Sequence, residues 1–420
     1  MPTSRPSEIR EGEFVVLIAM MMALQPFAID SMLPALGDIA RDLDVSDPNR
    51  RQLVVGLYLT GSGLGALIPG ALADRYGRRP VLLTCLISNL ILTLGCALVT
   101  SFDALLALRF LIGFTSSGLM VMPSAIIRDR IEGDRMARMQ SMVAIIFMMV
   151  PMIAPAVGQL ILLVASWRWI FGAMAIQSFL VLAWVFLRLP ESLHAEYRQP
   201  IRPGVIFGNM RDVLLTREAF GYVMAPALMM AAMFAYINSS QQLLVEHFGV
   251  GKAFPVIFAA MALLMMFASF TNSRIVERFG ARRVGHTALL FFIVFAALQL
   301  VLASRPHQTV WEFLPVMAAT AAMLGFMGGN FNSIALQPFA RIAGAASSVQ
   351  GFIRMVFASL AGILVGQAYD GTAWPIAVAQ VIAGLLTLAL ILFSEKGRLF
   401  RRVYPRGVPR PEFEKQLPPT

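Results

Sequence analysis

The sequence predicts an all-α membrane protein, with twelve transmembrane helices in two pseudo-symmetric six-helix bundles. Three observations lead there. Apolar residues make up 58% of the chain and charged residues 14%, against roughly 45–50% and about 25% in an ordinary soluble domain. The excess lies in blocks of the length that crosses a bilayer, about 20 residues. A charged segment between two blocks also recurs in degraded form: Asp74, Arg75, Tyr76 and Gly77 correspond to Glu277, Arg278, Phe279 and Gly280. Their offset of 203 residues is close to half of 420.

The blocks place spans near 14–34, 52–72, 80–100, 104–127, 140–164 and 168–188, then 219–245, 254–273, 284–304, 311–335, 345–368 and 373–394. The first is too long for the core of a signal peptide and no small-residue cleavage site follows, so it is expected to be retained. The polar stretch Pro190 to Glu218 divides six spans from six. The expected organisation is an N-terminal bundle over 1–189, a cytoplasmic linker over 190–218, a C-terminal bundle over 219–394 and a basic cytoplasmic tail over 395–420.

Charge sets the orientation. With the termini in the cytoplasm, 26 of the 34 Lys and Arg lie in cytoplasmic segments and 6 in external loops, the bias that retains loops inside. The net charge of +10 is thereby spent on topology, and no nucleic-acid partner is expected. Trp167, Trp169, Trp311 and Trp374 start three of the spans on the external side, where an aromatic belt belongs. Cys85 and Cys96 share one span, roughly 16 Å apart along a helix, too far for a disulfide.

Three charges fall well inside spans: Asp30, Arg109 and Arg354. Burying a charge in the hydrocarbon costs several kcal/mol, so each implies a partner, water or a job. Asp30 and Arg109 sit at similar depth, each about five residues from the outer end of its span. A carboxylate taken out of water favours its protonated form, and an approaching cation reverses that. Cation binding and proton release would then compete at Asp30, which is the physics of antiport. The bland alternative is a wet helix cap, since Pro34 follows closely. Arg109 reads either as a modulator of Asp30 or as a snorkelling interfacial arginine. Arg354, near midplane, could bind an anionic substrate group, pair with Asp30, or serve backbone carbonyls. Polar residues within spans tend to face protein or water. Gln25, Tyr58, Tyr236, Asn238, Asn330 and Asn332 are accordingly candidate substrate contacts, with helix–helix hydrogen bonding as the alternative. The 26 Met and 30 Phe suit an adaptable apolar cavity.

Several segments resemble the major facilitator superfamily. Residues Gly70 to Leu82 fit its loop between spans 2 and 3, G-x-L-a-D-R-x-G-R-K/R-x-x-L. Arg109 to Gly113 is similar to its span 4 signature R-x-x-x-G, with Ile112 where Gln is frequent. Val150 to Gln159 resembles the span 5 antiporter motif: Pro155 and Gly158 match, and the flanking glycines do not. Ser166 to Phe171 resembles the external end of span 6 in drug exporters, and the run from Gly344 resembles the start of span 11 in Bcr/CflA-type exporters; taken together, the chain resembles the Bcr/CflA branch of drug:proton antiporters. The resemblance implies a proton-driven exporter of amphipathic small molecules in a bacterial inner membrane, a monomer surrounded by lipid. Its cosubstrate would be the proton gradient, with no metal and no other cofactor. It implies proton coupling through Asp30 and Arg109. It implies a bend and seal at Pro155 and Gly158, and a cytoplasmic latch of Asp74, Arg75, Gly77 and Arg78 with Arg128 as a further partner. Ala281 interrupts the second copy of the loop, which should therefore matter less.

Two rivals are weighed. One is a carrier or symporter for a nutrient or metabolite, which Arg354 and the imperfect span 5 motif favour. The other is an intramembrane enzyme or sensor. It finds little support, because His194, His247, His286 and His307 share no metal-ligand spacing and no signalling domain is attached.

Overall fold

The computed structural model describes residues 9–400 except 132, 194, 195, 197, 199–202 and 306. Much of the linker's start and the tail beyond 400 therefore lie outside the described residues. The helices are α1 (Glu11–Asp30), α2 (Leu36–Asp42), α3 (Leu53–Gly65), α4 (Ile68–Tyr76), α5 (Arg78–Leu98), α6 (Phe102–Arg130), α7 (Gly133–Val164) and α8 (Arg168–Arg188). There follow α9 (Pro203–Leu215), α10 (Arg217–Gln241), α11 (Phe254–Phe279), α12 (Ala281–Ala303), α13 (Val310–Leu336), α14 (Ala343–Gln367) and α15 (Trp374–Ser394). Eleven stretches are long and apolar enough to cross a membrane. A bent pair, Pro48–Gly65 with Ile68–Tyr76 at 43°, makes twelve if counted as one span. Helix is the expected solution, because hydrocarbon offers no water to satisfy backbone groups.

The duplication is visible in the backbone. α5 starts after Gly77 at φ 106° and α12 after Gly280 at φ 89°. Both turns need a left-handed backbone that glycine adopts without a Cβ clash, so the repeated Gly serves the same tight connection in each half.

Span 1 differs from expectation. Beyond Asp30 the chain continues through a 3₁₀ turn at Leu33–Ala35 into α2, giving an apolar stretch from Glu11 to Asp42. Asp30 is therefore twelve residues from that end rather than about five, and is 5% exposed. Pro34 lies in the first turn of a continuation, where a missing N–H costs little. The wet-cap alternative falls with it. The tryptophan belt is also corrected at one position. Trp169, Trp311 and Trp374 are exposed, but Trp167 is buried and donates its Nε1–H to Asp42 at 3.0 Å. Arg168 joins the same carboxylate at 2.7 Å, pinning the start of α8 to the end of α2.

α3 and α6 pack backbone to backbone. A Cβ at Gly61 would overlap the Phe110 carbonyl, one at Gly65 the Phe114 carbonyl, and one at Gly113 the Tyr58 carbonyl. Small residues let helices approach backbone to backbone where lipid gives no hydrophobic drive.

Three apolar cores fill the molecule. One joins Phe14, Leu82, Leu119 and Val185 within the first half, at the end that carries residues 9 and 400, called the terminal end below. A second joins Tyr222, Phe292, Phe331 and Ile391 within the second half at that same end. The third lies at the opposite, distal end and crosses the halves, combining Leu36, Tyr58 and Phe171 with Phe234, Leu243 and Phe313. Polar contacts follow the same division. Distally, Asn49 donates to the Tyr369 carbonyl at 2.8 Å, Gln367 donates to the Asn49 carbonyl at 2.8 Å, Gln52 bonds Gln242, and Arg51 pairs with Glu246 at 2.6 Å. At the terminal end the ion pairs Arg188–Glu13, Arg78–Asp129 and Arg282–Glu395 each stay within one half. The two halves are thus sealed to each other distally.

Candidate functional site: a buried carboxylate at the end of α1

Arg109 is fully buried on α6. Its Nε donates to the Val54 carbonyl at 3.1 Å and one Nη to the Ala28 carbonyl at 3.0 Å, and its guanidinium lies 4.5 Å from the Tyr58 ring centroid. The Ala28 carbonyl is available because α1 ends at Asp30, and the last carbonyls of a helix lack partners of their own. One side chain thereby ties α1, α3 and α6 together. Arg109 therefore does not snorkel, and among the described residues it forms no ion pair with Asp30. Its second Nη has no partner among the described residues.

Asp30 is the last residue of α1, two places from that anchored carbonyl. Among the described residues it forms no ion pair, with Arg109 or with Arg354. Its position is set from the other side by α7, where Gly158 stands against the Ser31 carbonyl and Pro34 so tightly that a Cβ would overlap the oxygen. Pro155, one turn earlier, is also buried within α7. Gly158 therefore bears directly on the segment after Asp30. Spacing alone had suggested only a bend and a seal.

The polar candidates divide. Gln25 of α1 donates to the Ser62 hydroxyl of α3 at 2.6 Å, leaving its Oε1 without a partner. Asn238 of α10 is 1% exposed, and neither atom of its amide is hydrogen-bonded among the described residues. It faces α14, where a Cβ on Gly362 would overlap it. Arg354 on α14 has an Nε that is likewise buried and unpartnered. It precedes Met355 and Val356, which pack on Gly63 of α3, so it lies at the level of Ser62 and Gln25. Three other candidates serve packing or lie elsewhere. Tyr236 donates to the Met261 sulfur at 3.0 Å, and Asn330 exchanges hydrogen bonds with Asn272, the shorter at 2.8 Å. Asn332 is exposed and does not join Asn330.

The predicted latch is built differently from its motif. Arg78 is its centre, pairing with Asp74 at 2.5 Å and with Asp129 of α6 at 3.1 Å. Arg75 instead points outward over the Tyr76 ring, and the Arg128 side chain lies outside the described residues. Sequence reasoning missed two acids. Asp129 stands next to Arg128 in the chain, with no spacing signal that pairs it with Arg78. Glu191, in the linker, accepts from the backbone N–H groups of Arg78 and Arg79 at 2.9 and 3.1 Å. It thus caps α5, where the helix dipole favours a carboxylate. Because Arg78 has two acid partners, Arg78→Gln should reduce transport more than Asp74→Asn does, at matched expression. Equal losses would mean that Asp129 contributes nothing.

The second half carries an ion pair of its own at the same end. The Glu277 side chain lies outside the described residues. Arg282 pairs with Glu395 at 2.6 Å, and Tyr222 donates to the same carboxylate at 2.7 Å. Burial alone would raise the Glu395 carboxyl, but the hydrogen bonds from Arg282 and Tyr222 outweigh it and hold it below the usual glutamate range. A carboxylate lowered on folding adds stability above its unfolded value and loses it only as pH falls through the lowered one. Arg282→Gln should therefore shift the acid side of a pH–melting-temperature profile upward. An unchanged profile would remove Arg282 from that role.

Comparison with known proteins agrees with this architecture. The profile described as Major Facilitator Superfamily matches residues 16–366. The chain is 29% identical over 366 residues to a bicyclomycin resistance protein homolog of Haemophilus influenzae, covering 86% of this chain and 91% of that one. It is 30% identical over 389 residues to multidrug resistance protein MdtL of Escherichia coli K12, covering 92% and 97%. Among solved structures, a D-xylose–proton symporter superposes with a TM-score of 0.71 at 14% identity, over 92% of this chain and 99% of that one. That last likeness concerns the fold alone.

Proposed function

Because the chain belongs to the major facilitator superfamily, we propose that it exports amphipathic small molecules, drugs among them, in exchange for protons. It is a multi-pass membrane transporter. The resistance names of its relatives support efflux as the direction. The observation that carries the proton coupling is Asp30, a buried carboxylate with no ionic partner at the end of α1. A carboxylate in that setting exchanges its proton against a cationic substrate, since both cannot be favoured there at once. Arg109 acts by position: it holds the α1 terminus that presents Asp30. Asn238, Gln25 and Arg354 carry unsatisfied polar atoms that a substrate entering between the halves would satisfy. The substrate is moved without any change to its covalent bonds, the only bond made and broken being the O–H of Asp30, so the proposed cycle calls for no enzymatic group.

Transport by rocking halves requires the distal seal to open while the terminal end closes. With both termini on the cytoplasmic side of a bacterial inner membrane, the sealed end is external and the structure corresponds to an inward-facing state. Opening it breaks the Asn49, Gln52 and Arg51 contacts across the halves. If so, Asn49→Cys with Gln367→Cys should be joined by a short thiol crosslinker, and the joined protein should stop transporting. Normal transport after complete crosslinking would show that this end does not open.

The deciding measurement uses inverted membrane vesicles with an acidic lumen. An amphipathic cation such as ethidium should collapse part of the pH gradient in vesicles that contain the protein. No collapse with any substrate tested, together with growth on a nutrient that depends on the protein, would favour the second reading. That reading is a metabolite carrier using Arg354 for an anionic group.

A further inference from the structure

Between α11, α12 and α13 the terminal end of the second half carries a groove of about 470 Å³, within the range of small-molecule sites, about 300–1,000 Å³. Its walls are apolar: Ile275 and Phe279 from α11, Thr287 and Phe291 from α12, and Phe326 from α13. Phe279 and Phe291 are about half exposed, and Val294 continues the exposed apolar surface along α12. The groove therefore opens sideways, toward the surrounding hydrocarbon. Phe400 closes one end, held by its backbone N–H to His286 Nδ1 at 3.0 Å and by its carbonyl to Arg283 Nε at 3.1 Å.

The mouth is cationic. On either side of the turn at Gly280 the chain carries Arg278, Arg282 and Arg283. Arg282 is engaged by Glu395. Arg278 lies over Phe279, 5.4 Å from the ring centroid, which puts its charge directly beside the apolar wall. Arg283 lines the groove itself and is exposed. An apolar slot open to lipid, with arginines at its membrane-surface end, matches a molecule with an acyl chain and an anionic head. Basic pockets between transmembrane helices recognise anionic headgroups in this way. A zwitterionic lipid would bring its own ammonium group into the arginine cluster.

We infer that this groove binds one anionic phospholipid, with an acyl chain between α11 and α12 and the phosphate against Arg283. α11 is also the helix that packs on α7 of the other half, so an occupant here would brace an element of the moving interface.

The test is native mass spectrometry of the full-length protein in detergent, titrated separately with phosphatidylglycerol, phosphatidylethanolamine and glycerol phosphate. One phosphatidylglycerol should be retained preferentially, and glycerol phosphate should not bind. Arg283→Gln should weaken that binding about fivefold, the worth of one arginine near a headgroup, while Thr287→Phe should block it by filling the slot. Each variant is first matched to the wild type by its melting temperature without lipid. If Thr287→Phe does not fold, Arg283→Gln decides alone. Equal retention of both lipids, or unchanged phosphatidylglycerol binding in a folded Arg283→Gln variant, would overturn the inference. So would binding that appears only after the chain is truncated following Phe400, since the tail would then be the occupant. None of these readouts depends on transport.

Discussion

Asp30→Asn should abolish proton-driven uphill efflux, leaving accumulation at the level of vesicles that lack the protein. Asparagine keeps the size of the side chain and cannot exchange a proton, so the change is confined to chemistry. Asp30 has no described ionic partner whose charge would be orphaned, and the anchor beneath it is the Ala28 carbonyl rather than its own carboxylate. The fold should therefore survive, and downhill exchange of a neutral substrate should continue. The measurement is substrate-induced proton release against pH, for the wild type and the variant reconstituted in liposomes. Undiminished release from Asp30→Asn would move the coupling site elsewhere, with Asp38 of α2 the next carboxylate to examine. Gly158→Ala is the companion variant. A methyl against the Ser31 carbonyl must shift the segment after Asp30, so it should slow coupled transport without removing the carboxylate.

Gly113→Val should prevent the protein from accumulating in folded form. A Cβ at this position would overlap the Tyr58 carbonyl, with the Ser62 backbone nitrogen next at 3.0 Å. Backbone cannot swing aside as a flexible side chain can, so α3 and α6 must part. Parting them also breaks the bond from Arg109 to Val54 and leaves a buried guanidinium short of acceptors. Overpacking alone costs about 1–3 kcal/mol, and an orphaned buried charge adds several more. Size-exclusion profiles of detergent-solubilised protein should show loss of the monodisperse peak. Gly328→Ala in α13 is the control. Nothing lies within 4 Å of a Cβ there, and alanine is favoured over glycine in a helix by up to about 1 kcal/mol. A normal peak for Gly113→Val would mean that the close approach of α3 and α6 is not needed.

Much of this molecule was legible before any coordinates. Span number and order follow from block length and charge placement, because a bilayer acts on each residue's transfer energy almost independently of its neighbours. The turn at Gly77 and its copy at Gly280 were readable for the same local reason: each needs a backbone conformation that glycine supplies. The family was legible in Gly70 to Leu82, where many positions match at once.

What the sequence could not decide was which polar groups meet. Helices that are apolar on nearly every face do not announce their rotation about their own axes, and rotation determines partners. Arg109 and Asp30 share a depth, yet Arg109 turns to two carbonyls and a tyrosine ring. Asn330 and Asn332 are two residues apart, so one reaches Asn272 and the other faces outward. Asp129 and Glu191 became partners of Arg78 and its helix only when α6 and the linker were brought beside α5. Span 1 ran on past Pro34 because the distal core and the bonds from Trp167 and Arg168 hold α2 in place. The sequence by itself determined a twelve-span duplicated transporter with three intramembrane charges. Only the tertiary structure decided that one of them ties three helices together while another stands without an ionic partner, since side-chain pairing depends on how helices are turned against one another.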